Sequence, residues 1–171
     1  MLFRSEYALA PDLGNLPKYT VEAWFRQTGN LNGRVTAIVT NVYDLSTKLN
    51  FSIGTNNAPG NYELTTGFFN GAWRNTPSVS TSSNTWYQMV GTYDGSVVRT
   101  YVNGVEQAAL SYSGSPQSGG GVRIARRWDA QANDALNFFP GDISIVRIYK
   151  EALTDAEIDR KSTRLNSSHR T

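Results

Sequence analysis

The stretch WYQMVGTYDGSVVRTYVNGVEQAAL, residues Trp86 to Leu110, decides the fold. Two turn dipeptides punctuate it, Asp94-Gly95 and Asn103-Gly104. Each stands between β-prone runs, and each pair can adopt the positive φ angles that two-residue hairpin turns need. Between them, residues 97–102 (VVRTYV) are too few for a helix and rich in β-branched and aromatic side chains. The segment therefore predicts a three-stranded antiparallel meander. Its aspartate, asparagine and glycines are turn chemistry, and Asp94 is not expected to act on a ligand.

Composition fits this reading outside the meander. At 171 residues the chain is one domain's worth, long enough for a single sizeable core. Seven Phe, nine Tyr and four Trp supply aromatic packing, and 15 Gly supply turns, which suits an all-β sandwich. The absence of cysteine excludes a disulfide framework and a thiolate metal site. No apolar run is long enough to span a membrane as a helix. The net charge of +2 comes from the C-terminus: residues 159–171 hold four bases and one acid, leaving 12 bases against 13 acids before them. Nucleic-acid binding therefore has no electrostatic support.

Taken in order, residues 1–10 read as a first strand entered partway along, and residues 11–17 as a loop. In YTVEAWFRQ, residues 19–27, Val21, Ala23 and Phe25 point one way and Thr20, Glu22, Trp24 and Arg26 the other. Trp24 is expected to pack against a neighbouring strand. Strands follow at 35–42, 49–53 and 62–69, and Asn70-Gly71 marks a hairpin into residues 72–75. The Ser/Thr-rich run 76–85 reads as a surface loop, 111–121 as a flexible loop, 122–126 as a strand and 127–137 as an irregular loop. Residues 138–150 (FFPGDISIVRIYK) form a last strand, with strict alternation placing Ile143, Ile145, Arg147 and Tyr149 on one face. Thr154 with Glu157 three residues later is a capping box that opens a short helix.

The pattern W-Y-x-x-V-G-T-Y-D-G-S-x-V-R-x-Y-V-N-G-V over 86–105 resembles the central signature of laminin-G-like jelly-roll domains of the concanavalin A-like lectin/glucanase superfamily. Tyr19 to Trp24 and Phe138 to Tyr149 resemble the family's F-T-I-E-A-W and F-x-G-x-I-D-x-V-x-I-Y strands. The resemblance implies an all-β, concanavalin A-like jelly-roll sandwich of two antiparallel sheets, about 11–13 strands with a short C-terminal helix. The domain is expected over residues 1–158, truncated at both ends. The remaining tail reads otherwise. DRKSTRLNSSH, Asp159 to His169, matches codon for codon one reading frame of a common sequencing-library adapter, so residues 159–171 are expected to be adapter-derived. On this reading the only histidine, His169, is foreign, and the native chain continues past Ile158.

Chemistry is sparse. Period-two carboxylates on one strand, which would let nucleophile and acid/base flank a glycosidic bond, are absent before Asp159, where Glu22, Glu63 and Glu106 stand alone. Residues 1–158 contain neither His nor Cys, which removes the Ser-His-Asp and Cys-His arrangements. No enzyme activity is expected. Jelly rolls of the resembling family often bind calcium through loop carboxylates. Here Asp129, Asp134 and Asp142 are the candidate ligands, against the alternative of solvated aspartates, and Ser144 stands where the G-x-I-D motif has its acid. Sugar binding needs an aromatic platform and planar polar groups. Trp73 with Arg74, and Trp128 with Arg126 and Arg127, supply these residue types; rim packing of the sandwich is the alternative.

The leading expectation is a non-catalytic carbohydrate-binding or adhesion module of a larger secreted, cell-surface or virion protein, with a glycan or glycoprotein as partner. The alternatives are a structural or protein-interaction module of a viral or phage appendage, or an accessory domain of a glycoside hydrolase. Neither nucleic acid nor membrane insertion is expected, and the sequence does not address oligomeric state.

Overall fold

The structure, a computed structural model, describes residues 2–3, 7–29, 36–44, 48–55, 62–116, 120–126 and 138–168. Its strands are β1 (Leu2–Phe3), β2 (Ala8–Asp12), β3 (Tyr19–Gln27), β4 (Thr36–Asp44), β5 (Lys48–Thr55), β6 (Tyr62–Asn70) and β7 (Trp73–Asn75). They continue with β8 (Val79–Thr81), β9 (Trp86–Tyr93), β10 (Val97–Val102), β11 (Val105–Ser111), β12 (Gly121–Ile124) and β13 (Gly141–Tyr149), and helix α1 (Asp155–Ser168) closes the chain. Among the described residues the strands form two antiparallel sheets. One has six strands in the order β1-β13-β3-β9-β10-β11; the other has seven, β2-β12-β4-β5-β6-β7 with β8 also on β6. The expected jelly-roll sandwich with its C-terminal helix is therefore present. The run 76–85, expected as a loop, contributes β8, because Tyr62, Glu63 and Leu64 offer it a free edge.

The core lies between the sheets. Val21, Ala23 and Phe25 of β3, Met89 and Tyr93 of β9 and Val98 of β10 face Ile38, Leu64, Phe68 and Val122 of the other sheet. Aromatic rings tie the layers: Phe68 lies 5.0 Å from Tyr93, and Phe25 meets Phe139 edge-on at 5.7 Å.

The meander forms as expected, with one correction. Val102 pairs with Val105, and Asn103 (φ 52°) and Gly104 (φ 85°) make the two-residue turn. The first turn centres on Gly95-Ser96, not Asp94-Gly95. The Asp94 amide donates to the Val97 carbonyl across the turn, and Gly95 carries the positive φ of 99°. Asp94 Oδ1 accepts the amides of Ser96 and Val97, both at 2.8 Å, so the aspartate ties the turn from its flank.

Strict alternation fails in β13. The register to β3 runs Ile143↔Phe25 and then Ile145↔Trp24, a β-bulge that leaves Ser144 unpaired. Ile143 consequently joins Val146 and Ile148 on the core side, while Ile145, Arg147 and Tyr149 share the outer face with Trp24, Glu22 and Thr20. At α1, Glu157 Oε2 accepts both the Thr154 amide and its hydroxyl at 2.8 Å, fulfilling the capping box. The helix continues through Ile158 into residues 159–168 and lies on the outer face of the six-stranded sheet. Ile158 packs with Val90, Tyr101 and Leu153, and Ser162 is buried beside Gly104.

Candidate functional site

Alternation along β3, β9 and β13 turns one set of side chains away from the core, and the register aligns them in rows. The row at one end is Trp86↔Arg26↔Asp142. Trp86 opens β9 and is 41% exposed. The Arg26 guanidinium lies 5.3 Å above its ring, a cation–π contact. Arg26 also directs Nε (2.9 Å) and Nη2 (2.6 Å) to Oδ2 of Asp142, whose side chain is 9% exposed. The two contacts to Asp142 hold the guanidinium over the indole, and the pair carries no net charge. An open aromatic ring beside fixed donors and acceptors is the chemistry that takes the apolar face and the hydroxyls of a sugar.

Inward on the same face Glu22 and Gln88 are buried. Glu22 accepts Gln88 Nε2 at 2.9 Å and Arg147 Nη1 at 3.2 Å and 3.3 Å on its two oxygens. Opposite Val90, burial raises the Tyr101 hydroxyl well above its ordinary pKa, and its hydrogen bond to Asp155 (2.8 Å) adds to that shift. Partial burial works to raise the Asp94 carboxyl, but hydrogen bonds from Arg99, Val97 and Ser96 outweigh it and hold the group below its ordinary value.

The residues singled out from sequence are dispersed. Trp73 and Arg74 do not share a surface. Trp73 pairs with Phe69 on the outer side of the seven-stranded sheet and meets that ring at 5.4 Å, itself 41% exposed. Arg74 pairs with the buried Phe68, lies 4.3 Å over Tyr112 and donates to Asn70 Oδ1 at 3.3 Å. Arg126, just past β12, is buried between Tyr7 at 4.3 Å and Phe138 at 5.8 Å. Four strand spacings separate β12 from β7, about 19 Å, so Arg126 and Trp73 cannot grip one sugar. Arg127, Trp128, Asp129 and Asp134 lie outside the described residues. Asp142, a candidate calcium ligand, instead faces Arg26. Among the described residues no group of three or more His, Cys, Asp or Glu could hold a metal ion. Sequence reasoning missed Trp86 and Arg26, and the only signal was their position on the outward phase of two strands that had still to be paired.

Two packed antiparallel sheets with a helix laid on one define a concanavalin A-like sandwich. The sequence profile Laminin_G_3, of the concanavalin A-like lectin/glucanases superfamily, matches residues 4–159, and the chain belongs to that family. No curated protein matches it. Among solved structures it is similar to a native heptameric SAP-like pentraxin from Limulus polyphemus, at 15% identity and TM-score 0.63, covering 95% of this chain and 84% of that one. It is also similar to domain 4 of AbnA, a GH43 extracellular arabinanase from Geobacillus stearothermophilus solved in complex with arabinotriose, at 18% identity and TM-score 0.62, covering 89% and 70%. The botulinum neurotoxin serotype C1 binding domain gives 13% identity and TM-score 0.66, covering 93% of this chain but 40% of that one. At these identities the likeness shows the fold. Among the described residues no helix is long and apolar enough to cross a membrane.

Proposed function

We propose that the chain is a non-catalytic glycan-binding module of a larger extracellular, cell-surface or virion protein, and that it holds sugar on the row Trp86–Arg26–Asp142. The observation that carries this reading is the exposed indole stacked under a guanidinium that Asp142 fixes in place. The three groups stand on neighbouring strands, so the platform is held by the sheet and not by a loop. Binding domains among the structural neighbours, the arabinotriose-bound one included, support the reading by analogy of fold. In this row Asp142 acts as the ion-pair partner of Arg26.

A glycan array on the whole chain beside its Trp86→Ala variant tests the proposal. Retained hits expected for the parent should fall by about tenfold or more in affinity for the variant, the loss of one stacked ring. Unchanged binding by a folded Trp86→Ala variant would remove this row from the site. An array without hits would favour the structural or protein-interaction reading.

A further inference from the structure

The seven-stranded sheet carries an outer face of its own, and β6 and β7 shape it at one edge. Trp73 and Asn75 stand two positions apart on β7, so their side chains leave the same side of the strand. Their cross-strand partners on β6 are Phe69 and Gly67, which alternate with the core residues Leu64 and Phe68. The four therefore share the outer face. Two packed sheets turn their outer faces away from each other, so this one looks away from the Trp86 row and from α1.

The patch pairs an aromatic platform with an unspent amide. The Trp73 indole is 41% exposed, and the half-buried Phe69 ring meets it at 5.4 Å and 71°, an edge-on contact that sets its orientation. Gly67 leaves room for the neighbouring carboxamide: a Cβ there would collide with Asn75 Oδ1 and with the Arg74 carbonyl. Asn75 is thereby seated on the sheet, about 7 Å along the strand from the indole. It is half-buried, and its amide makes no hydrogen bond among the described residues. Arg74 points to the other side, over Tyr112, so the two rows carry no charge. A donor and an acceptor about one sugar ring away from an exposed indole suit a neutral sugar, whose C–H bonds stack on the ring while its hydroxyls meet the amide. Two aromatic side chains offer about 150–250 Å² each, short of the about 800 Å² per partner that a stable protein interface buries.

We infer that Trp73, Phe69 and Asn75 form a second sugar-binding surface, which takes a neutral pyranose stacked on the indole with two neighbouring hydroxyls on the Asn75 carboxamide. It shares no residue with the Trp86 row and stands on the other sheet, so either surface can fail without the other.

NMR titration of the whole chain with cellotriose tests this, because its rings are neutral, bear C–H bonds on both faces and present vicinal hydroxyls. The Trp73 indole and Asn75 amide resonances should shift together and saturate. Trp73→Ala should weaken binding read at Asn75 by about tenfold, the loss of one stacked ring, and Trp73→Phe should restore part of it. Asn75→Ala should weaken binding read at Trp73 by about threefold to tenfold, the worth of one or two hydrogen bonds, while leaving the melting curve in place. Trp86→Ala should leave the shifts at Trp73 and Asn75 unchanged. No saturable shift at Trp73, or Trp73 and Asn75 variants that bind as the parent does, overturns the inference. Shifts confined to Trp86 overturn it and leave the Trp86 platform standing; shifts confined to Trp73 and Asn75 uphold it and tell against that platform.

Discussion

Breaking the Arg26–Asp142 pair should cost different amounts from its two sides. The Arg26 side chain is 39% exposed and that of Asp142 9%. Removing Asp142 leaves a guanidinium that water can still reach and that still stacks on Trp86. Removing Arg26 leaves a carboxylate buried with its strongest donor gone. Exposed pairs are worth about 0.2–1 kcal/mol, whereas losing one partner of a fully buried pair costs about 3–5 kcal/mol. A half-buried fork belongs between these limits: about 1–2 kcal/mol for Asp142→Ala and about 2–3 kcal/mol for Arg26→Ala, the latter including about 0.5–1 kcal/mol of lost cation–π contact. Urea unfolding of the parent, the two single variants and the double variant, at one ionic strength, gives the coupling directly. It should come to about 1–2 kcal/mol. A coupling below about 0.3 kcal/mol, or an Asp142→Ala variant less stable than Arg26→Ala, would refute the claim that the fork fixes the platform.

Other perturbations follow from single contacts. The Asp94 carboxyl is held below its unfolded value, so its stabilisation is complete above the unfolded pKa and is lost as pH falls through the folded one; an NMR titration should place its midpoint below that of an ordinary aspartate, and a midpoint above it would contradict the turn geometry. Glu22→Ala strips the buried partner from Arg147 and Gln88 and should lower stability by about 2–4 kcal/mol, read from the chemical denaturation midpoint. Gly104→Ala forces a side chain onto φ 85° and brings its Cβ within 3.1 Å of Ser162; a loss of about 1–2 kcal/mol, with faster amide exchange in α1, is the expected result.

The fold was legible where the decisive chemistry is local. The Asn103-Gly104 turn and the Thr154–Glu157 cap each depend on residues within a few positions of one another, and both form as read. Readings failed where a distant strand decides. Nothing in DISIVRIY announces that Ser144 is bulged out, because the bulge exists only against Phe25 and Trp24 of β3. The same applies to the site. Trp73 and Arg74 were grouped because they are neighbours in sequence, but neighbours in a strand point to opposite faces. Trp86, Arg26 and Asp142 are 60 and 116 residues apart in sequence, yet one register row aligns them.

The placement of α1 then determines which parts of the outer face a ligand can reach. Ile158 and Leu153 settle on Val90 and Tyr101, in the middle of the face, and Lys161 reaches Tyr149 at 2.9 Å. Glu22, opposite Val90, and Gln88, one row away, are buried and hydrogen-bonded to each other. Open chemistry survives at the Trp86 end of this face and at Trp73 on the other sheet. An indole beside a charge-neutral pair and an indole beside a carboxamide both select for shape and apolar contact over charge. One sandwich can therefore present two neutral surfaces that face away from each other.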